Sequence, residues 1–222
     1  MNKIQDIAPL LADYLMYKDC TSEELKTNQE LITSNTNRLG LYSKYLGKLH
    51  DSWFIKTNIS DSKFSITLND FTTHVFSDAI IKKNKIKIDH SRLTFPIQID
   101  FEVLKLSYYS MDSDGNIRLI KETDVNEYLY EQIISIDDEK IEIGLVAWKN
   151  GVKNKRGKEI LILIDIKSII LSEFQDNAWK EIFGNKYDHY YNYFKAQLND
   201  GRYLSSYGIC ADLISEYDKL YN

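Results

Sequence analysis

The sequence predicts an α+β fold: a mainly antiparallel β-sheet, laid out as a meander, with helices at the N- and C-terminal ends of the chain. Three observations carry this. Apolar residues alternate at period two through the middle of the chain, as they do on strands, where successive side chains point to opposite faces. Before residue 49 and after residue 171 they recur at helical spacing instead. Short polar turns, rather than crossover helices, separate the alternating runs. One domain over 1–222 is expected, with a helical segment at 1–48, a sheet of about six to eight strands over 49–171, and helices over 172–222.

The centre of the sheet is the stretch Glu139–Leu171. Ile160, Ile162, Ile164 and Ile166 fall on one face of one strand, and Ile141, Ile143, Leu145 and Ala147 on one face of another. The polar loop Lys149–Lys158 joins them as an antiparallel hairpin.

Taken in order, Leu10, Leu11, Tyr14, Leu15 and Tyr17 form a first helical stripe. Thr21 and Glu24 have the spacing of a capping box, in which side chain and backbone satisfy each other at a helix start. Asn35–Asn37 read as a break, after which helical spacing resumes through Leu39, Tyr42, Tyr45, Leu46 and Leu49 up to His50. A hairpin follows, turning near Ser60–Ser62, with Phe64, Ile66 and Leu68 on the buried face of its second strand. Asp70 is placed to cap a short helix from Phe71 to about Lys82, with a covering loop as the alternative, and KIKID at 85–89 reads as a short strand. Pro96 opens the longest strand, Ile97–Tyr109. Ile97, Ile99, Phe101 and Val103 face one way, and then Leu104 and Leu106 take over, a change of phase that suggests a β-bulge. Ser113–Asn116, with its Asp-Gly pair, is a hairpin turn. Glu127–Ile136 is ambiguous between helix and strand. After Leu171, Ser172 and Gln175 form a second capping box, and helices run on past Gly184 and Gly201.

Composition narrows the function classes. The 222 residues are 43% hydrophobic and 27% charged, with a net charge of −5. That argues against general nucleic-acid binding, which needs a basic face to displace counterions. No run approaches the apolar length of a membrane span, and the N-terminal stretch lacks signal-peptide architecture, so a cytoplasmic protein is expected. Cys20 and Cys210 are too few for a disulfide framework or a cysteine-rich zinc site; a single bridge stays open, with reduced thiols the default. The 16 tyrosines suit either core packing or a protein-binding face.

Local chemistry is sparse. The chain has no GxxxxGK[ST], no GxGxxG after a strand, no GxSxG and no HExxH. Of four histidines, three adjoin an aspartate: His50-Asp51, Asp89-His90 and Asp188-His189. A metal-dependent hydrolase built from His50, Asp51, Asp89 and His90 is one reading, but neighbours on a strand point apart, and ordinary surface or partly buried histidines are the simpler one. Lys153, Lys155 and Arg156 in the 149–158 loop form either an anion patch or a solvated hairpin tip. Asp100 and Glu102 make an acidic stripe on a strand's outer face. Tyr193 lies off the packed face of its helix, where it suits protein recognition. No cofactor is expected.

The segment Leu49-His50-Asp51-Ser52, between a helix and an alternating strand, resembles the "LHDS" segment of several uncharacterised bacterial protein families. Some of these resemble immunity or accessory proteins of contact-dependent toxin systems. The resemblance implies a small bacterial cytoplasmic binding protein and no catalytic residues. Together these readings lead to the expectation of a non-catalytic protein that masks another protein, such as a toxin, with Asp100, Glu102, Lys153, Lys155, Arg156 and Tyr193 as contact residues. The alternatives are the His/Asp hydrolase and a structural subunit of a larger assembly.

Overall fold

The computed structural model describes residues 3–47, 49–50, 52–60, 62–69, 96–151 and 157–173. The chain divides into two compact units, Met1–Leu68 with Gln98–Ser172 and Asn69–Ile97 with Glu173–Asn222. The first holds nearly all the described residues. The helix expected over 71–82, the strand at 85–89 and the helices expected beyond Glu173 lie outside them.

The fold is α+β. Short helices lead: α1 (Ile4–Ile7), α2 (Pro9–Tyr14), α3 (Ser22–Ser34), α4 (Thr36–Leu39) and α5 (Tyr42–Tyr45). Strands follow: β1 (Ser52–Ser60), β2 (Lys63–Asn69), β3 (Pro96–Met111), β4 (Ile117–Ile120), β5 (Glu127–Ile136), β6 (Ile141–Lys149) and β7 (Lys158–Glu173). Pro9 starts α2, where a missing N–H is harmless. The capping box at α3 is present as its sequence predicts: the Thr21 side chain accepts from the Glu24 amide, and Glu24 accepts from the Thr21 amide. The helical spacing from Leu39 to His50 does not make one helix. Gly40 and Gly47 adopt φ of 54° and 73°, outside the helical region, and bracket the short α5.

The seven-stranded sheet is antiparallel, in the order β2-β1-β5-β6-β7-β3-β4, and β2 pairs with β3 as well. Six strands therefore close into a ring, β1-β2-β3-β7-β6-β5, while β4 hangs from β3. The ring is two three-stranded meanders, β1-β2-β3 and β5-β6-β7, rather than one continuous run. Closure removes open edges from its members.

Pairing across strands identifies the inner face, because residues directly opposite share a face. Ile141, Ile143, Leu145 and Ala147 stand opposite Ile166, Ile164, Ile162 and Ile160, and all are buried. Phe64, Ile66 and Leu68 from β2 and Ile99 and Phe101 from β3 are buried too, with the Phe64 and Phe101 rings stacked at 5.8 Å. On the outer face Val146, Leu161 and Leu129 are covered by Ile4, Ala8, Leu11 and Ala12 of the leading helices. β6 and β7 are thus apolar on both sides, which is why this stretch reads as the least interrupted apolar run. Gly144 lets α2 approach: a Cβ there would lie 2.8 Å from Leu11 Cδ1.

The burial of β3 changes phase where its sequence does. Ile97, Ile99 and Phe101 are buried, Leu104 and Lys105 are both exposed, and Tyr108 is buried again. The ambiguous stretch 127–136 is strand, with register shifts against β6 between Tyr128 and Tyr130 and between Ile133 and Ser135. β7 continues to Glu173, two residues beyond the end that the sequence suggests.

Candidate functional site

The inner face carries one ionisable carboxyl among the described residues. Glu131 stands opposite Leu145, and Tyr128 opposite Ala147, so both point inward. Glu131 is 4% exposed. Its Oε1 accepts from the Gly47 amide at 2.6 Å. Its Oε2 is buried with no hydrogen-bond partner among the described residues. The hydroxyls of Tyr128 and Tyr42 are 3.2 Å apart, and the Tyr42 ring meets Phe101 edge-on at 6.3 Å. Burial pushes the Glu131 pKa up to about 7, against the opposing pull of the Gly47 amide and the Tyr128 hydroxyl. Burial also drives both tyrosines upward, with the nearby Glu131 adding to it, so their hydroxyls stay protonated. The sequence leaves 127–136 undecided between helix and strand, and with it this cluster. The signal is a Glu inside an apolar run, but the register shift at Tyr128–Tyr130 hides which face it takes.

A second feature lies outside the ring. Among the described residues, β4 ends the strand order and has β3 as its one sheet neighbour. Beside it a cleft of about 460 Å³ runs over Val103–Tyr108 of β3, between the ends of β2 and β4. Ile59, Leu104 and Leu119 line it and are 39%, 49% and 66% exposed. Lys63, Lys105 and Glu122 add charge of both signs at its margin. Burial pushes Tyr108, also in the lining, up to about 12, with Glu122 and Asp124 contributing.

The predicted residues fall as follows. Asp100 and Glu102 lie on the outer face of β3, running toward Leu104. Asp100 pairs with Lys63 at 3.2 Å and accepts from Gln98 at 2.9 Å. Burial works against its ionised form, but hydrogen bonds from Ser65, Gln98 and Lys63 outweigh it and hold the carboxyl below its ordinary value. Glu102 accepts from Ser168 at 3.0 Å and lies 3.9 Å from Lys167, with 52% of its side chain exposed. Both are thus cross-strand partners as well as surface charges. Lys153, Lys155, Arg156 and Tyr193 lie outside the described residues, as do Asp51, Asp89 and His90. His50 is described. Its Nε2 is 2.9 Å from the Tyr14 hydroxyl, and its ring meets Tyr14 edge-on while Tyr14 stacks on Tyr130 at 4.9 Å. That ties α2 to the start of β1, a structural task. Among the described residues no three His, Cys, Asp or Glu side chains are grouped to hold a metal ion. Nor is any helix there long and apolar enough to cross a membrane.

Set against known protein families, curated proteins and solved structures, the chain matches none.

Proposed function

We propose that this is a non-catalytic protein-binding protein that masks its partner, in the manner of the immunity-like proteins that the Leu49–Ser52 segment resembles. It takes an extended segment of a basic partner protein along β4 and into the cleft beside it. The observation that supports this reading is the exposed apolar trio Ile59, Leu104 and Leu119 around a cleft next to β4, the strand that ring closure leaves with a single neighbour among the described residues. Strand addition supplies main-chain hydrogen bonds at such an edge, and alternate side chains of the incoming segment reach adjoining pockets. The half-exposed Glu102 and the net charge of −5 favour a basic partner. Binding of this kind needs complementarity and a desolvated anchor, not a reactive group.

The test is capture from nuclease-treated lysate of the native cells, with mass spectrometry, using the parent chain beside the double variant Leu104→Asp with Leu119→Asp. The expected result is one stoichiometric protein held by the parent and lost by the variant. Equal capture by both overturns the surface; a parent chain that holds no protein overturns the reading itself.

A further inference from the structure

A short helix packs a tyrosine against two strands of the ring, beside a carboxyl that no cation among the described residues balances. Tyr42 of α5 reaches Phe101 on β3 and Tyr128 on β5, strands on different sides of the ring. Tyr42, Tyr45 and Leu49 are all buried. The segment is bounded by Gly40 and Gly47, both at positive φ, and the Gly47 amide donates to Glu131. Among the described residues, the groups facing Glu131 are the Tyr128 hydroxyl from β5, the Tyr42 hydroxyl from α5, the Gly47 amide from the turn and apolar Leu145 from β6, with Ser52 of β1 paired to Tyr128. None is a cation. Protonated, Glu131 is a neutral group in a nearly apolar interior. Ionised, it is a buried charge whose Oε2 has no partner among the described residues, and burying such a charge is costly.

We propose that α5 and the turn through Gly47 form a proton-controlled plug, seated while Glu131 is protonated and lifting to hydrate the carboxylate once Glu131 ionises. The two glycines are the hinges, since positive φ is open to them at no steric cost. Release exposes Glu131 and the two tyrosine hydroxyls at the ring's end while β6 and β7 stay packed. The device stands apart from the binding surface on β4.

The test is native-state hydrogen exchange of the full chain between pH 5 and pH 8, with sub-denaturing urea, following the Gly47 and Val146 amides. Exchange is referred to intrinsic rates at each pH. Gly47 is expected to exchange through a local opening, faster than Val146 and insensitive to urea, with its opening equilibrium rising about 50-fold over that range. In Glu131→Gln the Gly47 opening should be flat with pH. A flat profile in the parent overturns the proposal. So does an equal rise in Glu131→Gln, or a Gly47 amide that tracks Val146 at every pH and urea concentration. Should Glu131→Gln fail to fold, Tyr128→Phe is read instead: removing a hydroxyl that favours the ionised form should move the midpoint to higher pH, and an unmoved midpoint overturns the proposal.

Discussion

A Cβ on Gly157 would lie 2.5 Å from Cζ2 and 2.6 Å from Cε2 of Trp148. No non-bonded carbon pair tolerates that distance, and an aromatic ring has no flexible end to swing aside. Gly157→Ala is therefore expected to displace the indole and cost about 1–3 kcal/mol, the usual range for overpacking. The readouts are a denaturant midpoint and a change in tryptophan emission that disappears in a Trp148→Phe background. Unchanged emission and midpoint would mean that the indole does not pack on Gly157.

Much of this fold was legible, and the failures have physical causes. The hairpin at Ser60–Ser62, the turn at Ser113–Asn116 and the pair β6–β7 follow from alternation and turn residues. Asp-Gly delivers Gly115 at φ 73°, as such a turn needs. Local pattern does not contain ring closure, because the β2–β3 and β1–β5 pairings join residues far apart in the chain. The bulged β5 hid the inward Glu131, since a two-residue period breaks at each register shift. The cleft beside β4 was equally hidden. Leu104 and Leu119 each look like core residues in their own strands, yet they are 49% and 66% exposed. Alternation alone puts Asp100 and Glu102 on the outer face of their strand; their partners Lys63, Lys167 and Ser168 come from other strands and required the fold.

Helix α3 depends on its cap more than on burial. Asn28, which donates to the Ile133 carbonyl at 2.6 Å, is its one buried residue, and Leu25 is 51% exposed. Thr21→Ala removes the side-chain acceptor for the Glu24 amide. A loss of about 1 kcal/mol is expected, concentrated at the helix start. Faster exchange of the Glu24 amide, with the β6 amides unaffected, is the measurement; equal protection in both proteins would show the cap to be dispensable.

Glu131 sets a pH dependence with a defined sign. Its folded value, about 7, lies above the ordinary 4.5. Its contribution is fully present below pH 4.5 and is lost as the pH rises to 7, because the unfolded chain ionises first. The loss approaches about 3 kcal/mol at most, since a tenfold difference in proton affinity between the folded and unfolded chain is worth about 1.4 kcal/mol. Glu131→Gln keeps an oxygen for the Gly47 amide and removes the charge. Its urea midpoint should exceed that of the parent at pH 8 and approach it near pH 4.5. A variant weaker than the parent at pH 8 would mean that the ionised carboxylate is well solvated or paired in the folded protein.

Leu119 offers the opposite test, a large apolar side chain whose loss should leave the fold intact. It is 66% exposed on a strand of four residues with one neighbour among the described strands. Leu119→Asp is expected to change stability by no more than about 0.5 kcal/mol, as surface substitutions do. Its effect should fall on association. A natural edge strand is normally guarded by shortness and charge, and β4, four residues long with the exposed Arg118, has both, yet Leu119 stays exposed beside them. If the residue is an anchor for a partner segment, Leu119→Asp should raise the dissociation rate at least tenfold with little change in association, since a buried apolar anchor acts after encounter. Glu102→Lys, 52% exposed and closer to the rim, should instead slow association with a basic partner and leave dissociation nearly unchanged. Surface plasmon resonance with the captured partner separates the two effects. A Leu119→Asp variant that associates and dissociates like the parent would remove β4 from the interface.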